Sequence, residues 1–87
     1  MKSYAVVFTY PYEPFSPENS AVYLFETEDK AKHFLEDAIK EHFQMNVGKD
    51  DYEVDYYVSK DRTYGWYKEW NLTDINKMEV FLCRVYE

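Results

Sequence analysis

The chain has 87 residues, which is enough for one domain with one hydrophobic core and too few for a second. Its 17 acidic and 10 basic residues give a net charge of −7, which disfavours direct binding to nucleic acid because phosphate is also negative. Aromatic residues make up 21% of the chain and include ten tyrosines, a composition that suits surfaces buried only part of the time.

The sequence predicts a cytoplasmic protein. Its one cysteine, Cys83, cannot form an internal disulfide, which fits a reducing compartment. The first residues show no signal-peptide cleavage pattern, and no apolar stretch approaches the roughly 20 residues that cross a bilayer. We therefore expect neither secretion nor a membrane partner.

Two strands are predicted at the start of the chain. Residues 4–10 and 21–26 are rich in β-branched and aromatic side chains, which is typical of strands. Between them, residues 11–20 form a polar stretch that holds all three prolines. These features indicate two strands joined by a stiff connection.

A helix follows the second strand. Thr27 is a good N-cap, and Glu28 and Asp29 lie in the first turn, where the helix dipole favours negative charge. Gly48 is a natural stop signal. Between these signals, apolar residues recur at helical spacing and predict one buried stripe, made of Ala31, Phe34, Leu35, Ala38, Ile39 and Phe43.

Three more strands are predicted after the helix. Residues 52–59 alternate between two faces, residues 63–70 form the return strand of a hairpin, and residues 78–86 are apolar on both faces. A strand that is apolar on both faces is shielded on both sides, so we expect the last strand to be central in the sheet.

The hairpin has a preferred register. A loop with a two- or four-residue centre places Asp55 opposite Lys68 and Tyr57 opposite Trp66, and both pairs are favourable. A three-residue loop would turn every side chain of one strand to the other face. The cross-strand pairs therefore favour the even-numbered loop.

The predicted order ββαβββ indicates an α+β fold in one domain, residues 1–87, with a single amphipathic helix packed on a mostly antiparallel five-stranded sheet. Five strands make a sheet roughly 20–24 Å wide, whereas a helix is about 10 Å across. We expect the helix to cover about half of one face. Residues 11–20, a second copy of the chain or another protein would cover the aromatic side chains that remain.

No arrangement of residues in the sequence indicates catalysis, a metal site or a cofactor. Only Gly48 and Gly65 are present, so a glycine-rich phosphate loop is excluded. His33 and His42 are nine residues apart and point to opposite sides of the helix, so they cannot share a metal ion. Cys83 could face His42 and form a thiolate–imidazole pair. Because nothing in the sequence orients a third catalytic group, we expect Cys83 to be a structural cysteine.

An acidic segment leads into the third strand. It lacks the glycine and the terminal glutamate of a calcium-binding loop, so calcium is not expected there. One interpretation is a solvated edge that discourages pairing between sheets. The other is an acidic and aromatic patch that docks on a basic partner, with the members Asp50, Asp51, Glu53, Asp55, Tyr57, Trp66 and Trp70.

Two classes of function follow from these patterns. The first is a small, acidic, aromatic-rich protein-binding module without catalytic activity, such as an inhibitor or antagonist that occupies a basic site on a partner protein. The alternative is a small-ligand-binding or enzymatic domain with an aromatic pocket at a homodimer interface. That alternative predicts a closed cavity containing His42 or Cys83, and a purely structural homodimer is a third possibility.

Overall fold

A computed structural model describes residues 2–10, 20–49 and 51–85 of the chain. The predicted α+β fold and the element order ββαβββ are confirmed. The bounds of the elements are β1 Tyr4–Thr9, β2 Ala21–Phe25, α1 Glu28–Asn46, β3 Glu53–Val58, β4 Tyr64–Trp70 and β5 Ile75–Arg84.

The five strands form one sheet in the spatial order β2-β1-β5-β4-β3, and each neighbouring pair is antiparallel. β5 lies in the middle, as its apolar residues on both faces predict. β2 and β3 form the two outer edges. The chain therefore places the two strands that flank the helix in sequence at opposite ends of the sheet.

Local signals set both ends of α1. The Thr27 hydroxyl accepts a hydrogen bond from the Lys30 amide at 3.2 Å and satisfies one of the free amides of the first turn. At the other end, the Val47 amide donates to the Phe43 carbonyl at 2.8 Å. Gly48 follows with a φ of 84°, a conformation that glycine adopts without steric cost, and it ends the helix.

The hydrophobic core lies between α1 and one side of the sheet. Its largest fully buried side chains come from the helix stripe and from β1 and β5, and they are Val6, Leu35, Ile39 and Val80. The helix contacts all five strands. At the two edges of the sheet, Phe34 packs on Phe25 of β2 and Phe43 packs on Tyr56 of β3. The helix therefore reaches both edge strands of the sheet.

Gly65 allows the helix to approach β4 closely. A methyl group added at this position would overlap the side chain of Ile39 and come within 2.5 Å of the Tyr57 carbonyl oxygen. The backbone oxygen belongs to the paired strand and cannot move away without breaking the β3–β4 ladder. Glycine is therefore required here by space and not by backbone conformation.

We predict that Gly65→Ala lowers the free energy of unfolding by about 1–3 kcal/mol, the usual cost of overpacking a core. Urea denaturation followed by circular dichroism measures the change. Lys60→Ala, at an exposed position in the adjacent turn, is the control and should stay within about 0.5 kcal/mol of the parent chain. Equal stability of Gly65→Ala and the parent would contradict this account of the helix packing.

Candidate protein-binding surface

The side of the sheet that faces away from the helix, here called the open face, carries large apolar side chains. Side chains alternate along a strand, so residues next to the core positions of each strand point to this side. The open face includes Val22 and Leu24 of β2, Tyr57 of β3, Tyr64, Trp66 and Trp70 of β4, and Phe81 of β5.

The β3–β4 register matches the sequence prediction. Asp55 lies opposite Lys68, and Tyr57 lies opposite Trp66. The Ser59 amide donates to the Tyr64 carbonyl at 2.8 Å, which closes a loop with a four-residue centre. The hairpin therefore brings the predicted aromatic residues of β3 and β4 onto the same face.

Aromatic rings on the open face pack on one another. The rings of Tyr57 and Trp66 are stacked with centroids 6.3 Å apart, and Tyr64 lies 6.3 Å from Tyr57 and 5.1 Å from Phe81. These contacts leave Tyr57 46% exposed and the other three rings partly buried. The face thus shields part of its own apolar area. Residues 11–19, most of the segment expected to cover it, lie outside the described residues.

Two lysines lie among these rings. The Lys68 ammonium is 4.9 Å from the centroid of Trp70, and the Lys77 ammonium is 5.5 Å from that of Trp66. Both distances are within the range of cation–π attraction. Lys77 also lies 3.3 Å from the carboxylate of Glu79. Sequence reasoning missed the part played by Lys77, because its position over Trp66 depends on the β4–β5 register.

The predicted acidic residues occupy the outer edge of this surface. Glu53 and Asp55 belong to β3 and point to the open face, beside Trp70 and Lys68 respectively. Asp51 lies exposed in the turn before β3, and Asp50 lies outside the described residues. Six of the seven predicted site residues can therefore be placed, and five of them share one face of the β3–β4 hairpin.

The β4–β5 turn presents a leucine that sequence reasoning missed. The side-chain oxygen of Asn71 accepts hydrogen bonds from the amides of Thr73 at 2.9 Å and Asp74 at 2.7 Å. The Asn71 amide donates to the Asp74 carbonyl at 2.9 Å. This closed turn holds Leu72 fully exposed, next to Ile75, which is 40% exposed. The only signal in the sequence is a leucine within a polar turn.

A cleft of about 480 Å³ separates this turn from the segment before β3. Its walls combine apolar and charged groups: Lys49, Asp51, Tyr52, Glu53, Trp70, Asn71 and Leu72. The Tyr52 hydroxyl donates to the Asp74 carboxylate at 3.4 Å. Local desolvation and the negative charge of Asp74 raise the pKa of the Tyr52 phenol, which keeps it a neutral donor.

The candidate catalytic groups do not come together. His42 lies on the helix side of the sheet, where its Nδ1 is 2.8 Å from the Ala38 carbonyl, whereas Cys83 is exposed on the open face. The thiolate–imidazole pair considered from the sequence is therefore not formed. Among residues 2–10, 20–49 and 51–85, no three His, Cys, Asp or Glu side chains form a group that could hold a metal ion.

One buried phenol lies near His42. The Tyr67 hydroxyl donates to the Glu69 carboxylate at 3.0 Å, and its ring lies 5.6 Å from the imidazole of His42. Burial and the hydrogen bond to Glu69 raise the pKa of Tyr67 far above its usual value. Tyr67 is thus held as a neutral hydrogen-bond donor, which is a structural role.

Comparison with known protein families, with curated proteins and with solved structures gave no match. The helix of the described part of the chain is not long and apolar enough to cross a membrane.

The turn that fixes the β3–β4 register depends on Asp61. One of its carboxylate oxygens accepts hydrogen bonds from the Ser59 hydroxyl at 2.8 Å and from the hydroxyl and amide of Thr63 at 2.8 and 3.2 Å. These donors, first of all the Thr63 hydroxyl, lower the pKa of Asp61 from its usual 3.8. A carboxyl whose pKa is lowered by folding adds stability above its unfolded pKa and loses it as the pH falls through the folded value.

We therefore predict that Asp61→Asn is less stable than the parent chain at neutral pH, and that the difference shrinks as the pH falls below about 4. Urea midpoints of both proteins across this pH range measure the effect. Thr63→Val removes the first donor and should move the pKa of Asp61, measured by NMR, back toward 3.8. A stability difference that does not change with pH would contradict the role assigned to the Asp61 charge.

Proposed function

We propose that this chain is a small non-catalytic protein-binding module that docks on a basic surface of a partner protein, as an inhibitor or antagonist of that site would. The docking surface consists of Glu53, Asp55, Tyr57, Trp66, Trp70, Leu72 and Ile75. The observation that carries the proposal is the fully exposed Leu72 on a closed turn, beside a face of packed aromatic rings.

Hydrogen bonds hold the backbone that carries Leu72. Three hydrogen bonds within the Asn71–Asp74 turn fix the backbone on both sides of Leu72. Little backbone entropy is therefore lost when Leu72 enters a pocket on a partner. Tyr57 and Trp66 belong to the residue types that most often supply the binding energy of protein interfaces, and Leu72 adds exposed apolar area beyond the end of β4.

The charges of the docking surface favour a basic partner. Lys68 and Lys77 are already engaged, since each lies over a tryptophan ring and Lys77 also contacts Glu79. Glu53, on the edge strand, remains exposed and available to steer a positive surface toward the rings. The net charge of −7 adds a long-range attraction toward a positively charged partner.

A small-ligand-binding or enzymatic domain is the alternative function. It would need a cavity in which His42 or Cys83 acts on a bound molecule. His42 does line a cavity of about 310 Å³ on the helix side of the sheet, together with Phe34 and Glu41. Cys83 is exposed on the opposite face, and Leu72, on an exposed turn, would have no role in such a pocket. The protein-binding proposal uses the exposed apolar residues that the alternative leaves without a function.

We predict that Leu72→Ala weakens partner binding by about tenfold or more, which corresponds to about 1.4 kcal/mol, without changing stability. Affinity capture from the native host identifies the partner, and titration calorimetry with that purified partner measures the affinity. Met45→Ala is the matched control, because Met45 is an apolar residue that is 65% exposed on the helix. Equal affinities of Leu72→Ala and the parent would contradict the proposal.

A double substitution, Tyr57→Ala with Trp66→Ala, should abolish binding while the helix stays folded, because both rings lie on the face opposite the helix. Circular dichroism at the helix bands checks folding in the same samples. Glu53→Lys should also weaken binding, and raising the salt concentration should remove that difference because salt screens exposed charges. Unchanged binding by the double variant would count against the docking surface.

A further inference from the structure

The outer edge of β2 has the side chains of a strand that pairs with another strand. Its five residues, Ala21–Phe25, include neither charge nor proline, and Val22, Tyr23 and Leu24 are 59%, 48% and 49% exposed. Proteins usually protect edge strands with charges, prolines or bulges, because free backbone groups pair with other chains. The opposite edge, β3, has that protection in its two acidic residues. β2 has none.

The backbone groups of β2 that point outward can be assigned from the neighbouring ladders. The Val85 amide donates to the Ser3 carbonyl at 2.7 Å, so odd-numbered residues of β1 bond to β5 and even-numbered ones bond to β2. The β1–β2 register then directs the amide and carbonyl groups of Tyr23 toward β1. The corresponding groups of Val22 and Leu24 point away from the sheet and can receive another strand.

We propose that two copies of the chain pair through β2, antiparallel and with a two-fold axis at Tyr23, to form one continuous sheet. In this register Val22 of each copy lies opposite Leu24 of the other. These are the residues with outward backbone groups, so each pair exchanges both of its hydrogen bonds. Both copies use the same strand, so no free β2 edge remains and assembly through β2 stops at two copies.

The side chains of β2 are complementary to themselves in this register. On the open face, Val22 meets Leu24, and on the helix side the small Ala21 meets the large Phe25. Beyond the strand ends, Ser20 lies opposite Glu26, so no like charges face each other. Two copies paired through β3 in the corresponding register, with the axis at Asp55, would instead place the two Asp55 carboxylates opposite each other, which is unfavourable. The charge pattern therefore selects β2 over β3.

An aromatic cluster stands beside the proposed axis. The Tyr23 ring lies 5.6 Å from Phe8 and 5.0 Å from Phe34, which holds it toward the helix side of the strand. A cavity of about 310 Å³ opens next to this cluster, with Ala21 and Tyr23 in its wall. Pairing places the second copy's Tyr23 and Phe25 next to these two residues. The dimer would thus cover apolar area on the helix side as well as on the open face.

This pairing does not rest on the proposed function, since β2 and the docking surface lie at opposite edges of the sheet. The two proposals predict opposite responses to added salt. Each copy carries a charge of −7, so copies repel one another and added salt should strengthen the dimer. Added salt should weaken docking on a basic partner, because it screens an attraction. A failure of one proposal is therefore distinguishable from a failure of the other.

Sedimentation equilibrium of the full chain tests the dimer. We expect a mass of twice 10.6 kDa at high concentration, and a dissociation constant that falls as salt rises. Val22→Lys and Leu24→Lys add a positive charge to the edge and should raise that constant about tenfold or more. Met45→Lys, with the same charge change at an exposed position on the helix, should not raise it, because the added charge only lowers the net repulsion between copies. A parent chain that stays monomeric up to about millimolar concentration overturns the proposal.

Cross-linking tests the register and does not depend on the lysine variants folding well. In the proposed dimer the two Tyr23 residues form a pair without hydrogen bonds, with Cα atoms about 4.5 Å apart, close enough for a disulfide. Tyr23→Cys in a Cys83→Ser background should therefore give a covalent dimer under mild oxidation, and Met45→Cys in the same background should not. Equal cross-linking of both variants, or a β2 edge that binds only a different protein, overturns pairing between copies.

Discussion

One layer of contacts, between the buried stripe of the helix and the inner side of the sheet, holds this domain together. Its largest fully buried side chains are Val6, Leu35, Ile39 and Val80. The described residues contain one helix, and that helix lies on one side of a five-stranded sheet. The other side must therefore be stabilised by its own side chains or by another molecule. Both the composition of the open face and the proposed interactions follow from this asymmetry.

Amphipathic side chains shield part of the apolar area of the open face. Tyrosine and tryptophan rings shield one another through stacked and tilted contacts. Lys68 and Lys77 lay their ammonium groups over two tryptophan rings, which covers apolar area without burying charge. Among the described residues, large apolar side chains stay exposed at Tyr57, at the β4–β5 turn with Leu72 and on the edge strand β2. Those are the places at which another chain gains most by binding.

The sequence predicts the features that depend on local patterns. The helix start at Thr27 follows from its capping residue, and the central position of β5 follows from its apolar residues on both faces. The Tyr57–Trp66 pair follows from the hairpin register that also places Asp55 opposite Lys68. Features that depend on distant contacts were not predictable. Which strands form the edges is decided by pairing between β1 and β5, which are far apart in the chain. The exposure of Leu72 depends on hydrogen bonds within a turn that composition describes only as polar.

The two exposed regions are compatible, and their geometry has a consequence. A two-fold axis between antiparallel strands is perpendicular to the sheet, so a dimer paired through β2 keeps both helices on one side and both open faces on the other. The docking surfaces then lie near the two ends of a ten-stranded sheet, about 40 Å apart at the usual strand spacing. A partner that presents two basic sites at this separation binds the dimer more tightly than either site alone, because the second contact forms within one complex. A weak single docking surface is then sufficient for tight binding.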